Sequence, residues 1–177
     1  MCKQDSNAPL KNRGFSLFEM LVVMIVISIL VYMSFDYYLS TIENSKHSVI
    51  KFQAGTFART VENLSGEATL RNTDYVVTGI ARVYMNQFGW PASSDTTSSL
   101  SAYNQTPEEC QKLWRAMFSN PPSTTINTTD SSLHNIDYKI YSINGRICRY
   151  ELLRKQEGRY FFDYDLVTGS VTVSIPD

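Results

Sequence analysis

What this chain lacks narrows it first. Its 177 residues contain no glycine-rich phosphate loop, which excludes a nucleotide-driven motor. No cluster of Lys or Arg is longer than a pair and the formal net charge is -1, so the electrostatic footprint of a nucleic-acid binder is missing. Only two histidines are present, His47 and His134, and neither has a companion at metal-ligand spacing; both read as surface residues. No Ser, His and acid constellation for nucleophilic catalysis stands out. No cofactor, no metal and no nucleic acid is therefore expected, and the chain reads as a non-enzyme. Asp163 and Asp165 alternate onto one strand face, and they read as a solvated acidic face in preference to a calcium site.

Two further scarcities matter. Cysteine occurs three times, at Cys2, Cys110 and Cys148, an awkward number for an oxidising compartment. A cut between Cys2 and the rest would leave an even count, in which Cys110 and Cys148 either pair or stay as two buried thiols. Proline is absent from Phe15 to Gly66, so nothing there breaks a helix.

What is there begins with "RGFSLFEMLVVMIVISIL", Arg13 to Leu30. From Met20 to Met33 the only residue that is not apolar is Ser28, and with Phe15 to Phe18 the run reaches the roughly 20 residues needed to cross hydrocarbon. Lys11 and Arg13 flank it on the N-terminal side, which predicts a cytoplasmic N-terminus and a translocated C-terminal domain. A secretory signal would place a small-residue cleavage site after the run, and none stands out. Glu19 is the anomaly: a charge at the bilayer centre costs on the order of 2.5–3.5 kcal/mol, so it needs a function.

The junction Gly14-Phe15-Ser16-Leu17-Phe18-Glu19 resembles the type IV prepilin signature. The resemblance covers about Lys11 to Tyr38. It implies that a dedicated peptidase cuts after Gly14, that the new N-terminal Phe15 is N-methylated, and that the apolar segment stays attached. Such a cut removes Cys2 together with Lys3, Lys11 and Arg13, and so resolves the odd cysteine and the positive anchor in one event. The resemblance also gives Glu19 its role: in a staggered stack of subunits its carboxylate meets the Phe15 amine of a neighbour and rewards correct register. The partners it implies are other pilin subunits through the N-terminal helix, the prepilin peptidase, an inner-membrane assembly platform, and the membrane before assembly. Many principal pilins carry a helix-kinking Pro about twenty residues into the mature chain. Asp36 occupies that region here, which argues against a principal, copy-rich subunit.

Downstream, Ile42, Val49, Ile50, Phe57, Val61 and Leu64 recur near helical spacing, so the helix is expected to reach Gly66. "VVTGIARVYMNQFGWP" reads as one or two strands, and "PASSDTTSSLSAYNQT" as a Ser/Thr-rich surface loop. "TPEECQKLWRAMF" predicts a short helix with Thr106 as N-cap, Pro107 in the first turn and Glu109 closing a capping box. Cys110, Leu113, Trp114, Met117 and Phe118 form its apolar face, with Trp114 in the core. A strand series follows: Ile136 to Ile143, Ile147 to Arg154, Tyr160 to Val167 and Val171 to Ile175. Turns at Asn144-Gly145, Gln156-Glu157-Gly158 and Gly169 separate its members.

The expected class is α+β, a long N-terminal helix packed on an antiparallel sheet of about four strands, which again resembles the pilin fold. A Cys110–Cys148 bridge is compatible with it. The expected organisation is residues 1–14 as leader, 15–39 as the transmembrane and assembly half of the helix, 40–66 as its amphipathic half, and 67–177 as the globular domain. "ECQKLWRAMFSNPP" and "NQFGWP" are similar to accessory pilins of the mannose-sensitive haemagglutinin pilus, the B-type subunit in particular. The implied location is the inner membrane before assembly, with the C-terminal domain periplasmic, and an extracellular pilus or a periplasmic pseudopilus after it. A type II secretion pseudopilin, a single-pass anchored domain of other activity, and an adhesin displaying Ser/Thr-rich loops are the alternatives.

Overall fold

A computed structural model describes residues 16–79, 81–94, 101–126, 136–153 and 160–175. The leader, Cys2, Gly14, Phe15, His134, the Gln156-Glu157-Gly158 turn and positions 95–100 of the Ser/Thr-rich loop lie outside the described residues. Helix α1 runs from Leu17 to Arg71. The chain divides into two units, the first ending at Glu43 and the second starting at Asn44.

In the second unit α1 buries one stripe: Ile50, Ala54, Phe57, Val61, Leu64 and Ala68. Their alternating four- and three-residue spacing keeps them on a single face. Val49 was expected on that stripe but is exposed, because one residue from Ile50 is about 100° around the helix. Ile42 is also exposed and belongs to the first unit. The helix continues past Gly66, since burial of Ala68 and a Glu67–Arg71 pair at 2.9 Å outweigh one glycine. It stops where Asn72 takes a left-handed φ of 51°. There Thr73 N–H donates to Ala68 O (3.0 Å) and Asn72 N–H to Thr69 O (3.2 Å), a Schellman end.

Among the described residues this unit also holds two sheets. The first is antiparallel, β1 (Tyr75–Val77), β2 (Arg82–Met85) and β3 (Pro91–Ser93). Strand β3 falls where a surface loop was expected; it is fully buried, and its proline sits at the first position, where a missing N–H is tolerated. The second sheet runs β4 (Thr124–Thr125), β5 (Tyr138–Ile143), β6 (Ile147–Leu152), β7 (Phe161–Asp165) and β8 (Val171–Ser174). The antiparallel meander β5 to β8 is the expected one, and the two-residue β4 adds to it in parallel. Asn144 and Gly145, with φ of 52° and 64°, supply the left-handed pair that a tight hairpin turn demands.

Helix α2 (Pro107–Met117) has the complete capping box: Glu109 N–H donates to Thr106 Oγ1 (3.3 Å) and Thr106 N–H to Glu109 Oε2 (2.8 Å). Its buried face carries Cys110, Leu113, Trp114 and Met117, with Phe118 just beyond. The fold is thus α+β, a long N-terminal helix packed on an antiparallel sheet. At its centre Phe57 meets the rings of Tyr150 and Tyr164 at 5.3 Å each and Phe162 at 5.6 Å. Trp114 closes the cluster over Tyr150 and Tyr138, 4.9 Å from each, and its indole N–H donates to Pro122 O (3.2 Å).

Cys110 and Cys148 are joined, their Cα atoms 5.6 Å apart, so α2 is clamped to β6. The Tyr150 hydroxyl donates to Cys110 O (3.1 Å) beside the bridge. The first sheet is tied down through "NQFGWP". Asn86 Nδ2 donates to Leu166 O (2.7 Å), Tyr164 hydroxyl donates to Pro91 O (2.8 Å), and Trp90 lies against Gly169. Burial pushes both the Tyr150 and the Tyr164 phenols up, so they stay protonated donors.

Candidate functional site

The residues singled out for function fall in two places. The first is the start of α1. Ser16 is its N-cap: Glu19 N–H donates to Ser16 Oγ (3.1 Å), satisfying one of the donors a helix start leaves open. Glu19 thereby occupies the third helical position, in the first turn, where the positive end of the helix dipole favours a carboxylate. Glu19 makes no ion pair among the described residues. Gly14 and Phe15, the residues expected to be cut and methylated, lie outside the described residues.

From Leu17 to Leu39 every large apolar side chain is at least 42% exposed, all the way round the helix. The most apolar 18-residue window has a mean hydropathy of 2.4 and none of it is buried. A helix that is apolar on every side needs lipid or other helices around it. Its hydroxyls are already accommodated: Ser28 Oγ donates to Met24 O and Ser34 Oγ to Leu30 O, both at 2.8 Å. Such bonds to the preceding turn let a serine sit in hydrocarbon without an unpaired donor.

The second place is the outer face of the second sheet. Asp163 and Asp165 do not form a solvated acidic face there, nor an open oxygen cage for calcium. Each carboxylate is gripped by an arginine on β6 or its turn. Asp163 takes two bonds from Arg149 (2.8 Å each), and Asp165 takes two from Arg146 (3.0 and 2.6 Å). The Arg149 guanidinium also lies 3.8 Å over the Phe161 ring. Arg146 holds the Asp165 carboxyl below its ordinary range, and the Val167 N–H adds to the effect. The register pairs Arg149 with Asp163 directly, so the cue was present once strands were aligned; Arg146 reaches Asp165 from the turn and gave none. The same face buries Lys139 opposite Glu151, with the Lys139 ammonium 4.9 Å over Tyr141. His47, expected at the surface, is half-buried with its ring 5.5 Å from Tyr160.

Among the described residues no group of three or more His, Cys, Asp or Glu could hold a metal ion. The two short motifs likened to accessory pilins turn out to be structural devices. Asn86 Oδ1 accepts from Phe88 N–H and Trp90 N–H to shape one corner, and the other motif carries the cysteine and tryptophan that fasten α2.

Residues 9–33 match a family model described as the prokaryotic N-terminal methylation motif. The match holds the stretch from before Gly14 to Met33, the end of the strongly apolar run, including Glu19, and supports a prepilin-type protein. Comparison with curated proteins gave no match, and comparison with solved structures gave none either.

Proposed function

We propose that the chain is a minor structural subunit of a type IV pilus, of the mannose-sensitive haemagglutinin kind, made as a prepilin and serving pilus assembly or surface attachment. The observation that carries this reading is the methylation motif set on an all-round apolar helix whose first turn bears one acid. Residues 1–14 are the leader removed by the prepilin peptidase after Gly14, and Phe15 becomes the N-methylated terminus. Residues 15–39 anchor the precursor in the inner membrane with the N-terminus cytoplasmic, 40–66 extend the helix, and 67–177 form the displayed domain.

In assembly, Glu19 of an incoming subunit receives the Phe15 amine of its neighbour. Both charges leave water, so a register that pairs them is favoured and one that strands either is penalised by about 3–5 kcal/mol. Glu19→Ala should then abolish incorporation while leaving cleavage after Gly14 intact. The accessory affiliation is supported by "ECQKLWRAMFSNPP" and "NQFGWP", and by the lack of a proline in α1. An unbroken helix serves a type II secretion pseudopilin equally. Deleting the gene separates the two, through loss of surface filaments or loss of secretion.

The deciding experiment is intact mass and N-terminal peptide mapping of the protein from its native host, with and without the prepilin peptidase. A chain starting at methylated Phe15 only when the peptidase is present is the expected result. A chain retaining Met1 to Gly14 in both samples overturns the proposal.

A further inference from the structure

The second sheet ends at β8, and among the described residues no strand pairs with its far edge. The hydrogen bonding fixes which groups face that edge. Opposed residues in an antiparallel pair alternate between bonded and non-bonded positions. Asp165 N–H donates to Ser170 O (3.0 Å), so the Asp163–Thr172 and Phe161–Ser174 pairs are the bonded ones. The other side of β7 agrees: Leu152 N–H donates to Tyr160 O (2.8 Å) and Leu166 N–H to Arg146 O (3.1 Å), which turns Phe162 and Tyr164 toward β6. The backbone N–H and C=O groups of Val171, Val173 and Ile175 therefore point outward.

Native edge strands are blunted by lysine, proline, inward charges or a bulge. Among the described residues β8 carries no such guard of its own; Pro176 and Asp177 come only after it in sequence. Ser170 to Ile175, "SVTVSI", has no charge and no proline, and its register with β7 runs without a shift. Val173 stands opposite buried Phe162 yet is 40% exposed, because no described strand covers the core face beyond β8.

We propose that β8 pairs antiparallel with β8 of a second copy of this chain. The strand is complementary to itself. With Val173 opposite Val173, Val171 meets Ile175 and all three pairs exchange bonds through their outward groups. Apolar side chains then meet on the core face, and on the other face Thr172 meets Ser174, hydroxyl to hydroxyl. The pair is isologous and closes on itself, so it joins two copies and no more. It does not depend on removal of residues 1–14 and stands or falls apart from the pilus reading.

The test uses the full chain in host membranes, in a Cys2→Ser background. Val173→Cys places two thiols roughly 4.5–5.5 Å apart at Cβ, and a short thiol-to-thiol reagent should give a homodimer. Leu70→Cys, at a site 90% exposed on α1, should not. Val173→Lys opposes two ammonium groups and should raise the dimer dissociation constant at least tenfold by sedimentation in detergent, with the circular dichroism unchanged. The proposal is overturned if the Val173→Cys chain yields monomer only, links only to a different protein, or if Val173→Lys leaves the dimer intact.

Discussion

Removing the Phe57 ring tests whether the core is centred where the structure puts it. Phe57 is 0% exposed and touches rings from α2 (Trp114), β6 (Tyr150) and β7 (Phe162, Tyr164), with Phe118 at 6.1 Å. Phe→Ala in a core costs about 3–5 kcal/mol, more where the surroundings cannot collapse into the void. Here they are held apart by the Cys110–Cys148 bridge and by the β6–β7 ladder, so the upper part of the range is expected. At this size that loss lowers Tm by roughly 10–20 °C. Phe52 lies five residues away on the same helix at 71% exposure, and Phe52→Ala should cost less than about 0.5 kcal/mol. Near-UV circular dichroism of the full chain in detergent, which reports the packed rings, provides the assay. Equal losses for the two variants, or a loss under about 1 kcal/mol for Phe57→Ala, would refute the placement of the helix face.

Three other outcomes are expected. Replacing Cys110 and Cys148 by alanine should cost about 3–4 kcal/mol through the loop they close, read as a lower denaturation midpoint; the native chain lacking residues 1–14 should show no titratable thiol. Asp165 has its carboxyl lowered in the folded state, so its contribution is complete above the ordinary aspartate range and is lost as pH falls through the folded value. Asp165→Asn should flatten that acid limb of the stability profile and leave the neutral limb's slope unchanged. Gly169→Ala should destabilise by about 1–3 kcal/mol, since φ is +70° and a Cβ would enter the Trp90 ring, whereas Gly66→Ala, with open space at Cβ, should stabilise by about 0.5–1 kcal/mol in thermal melts.

Much of this architecture was legible because local chemistry decided it. The α2 capping box, the Asn144-Gly145 turn and the alternation of Cys148, Tyr150 and Leu152 are short-range rules that the final packing does not contest. What escaped was decided at long range. Strand β3 is built from proline, alanine and serine, and exists because Tyr164 and the core face of the sheet receive it. Strand β4 has two threonines and a Gln111 side chain bonded to Thr124 O (3.2 Å), no pattern at all in sequence. The helix face was read one residue out of phase at Val49 because Ala54 and Ala68, small and unremarkable in composition, define the true stripe. On the outer sheet face, two aspartates looked free until the arginines of the adjoining strand and turn were aligned with them.

The back-bonded serines of α1 have an energetic corollary. Between Leu17 and Phe35 the only charged residue is Glu19, and Ser28 and Ser34 carry their hydrogen bonds within their own helix. Moving this segment from lipid to a sheath of similar helices exchanges one set of hydrocarbon neighbours for another and requires neither serine to change partner. In the assembly proposed above, that transfer would be nearly isoenergetic along the segment's length, with its free energy concentrated at a single carboxylate. A helix built this way can be drawn out of one surrounding and set into another with its direction decided at one end.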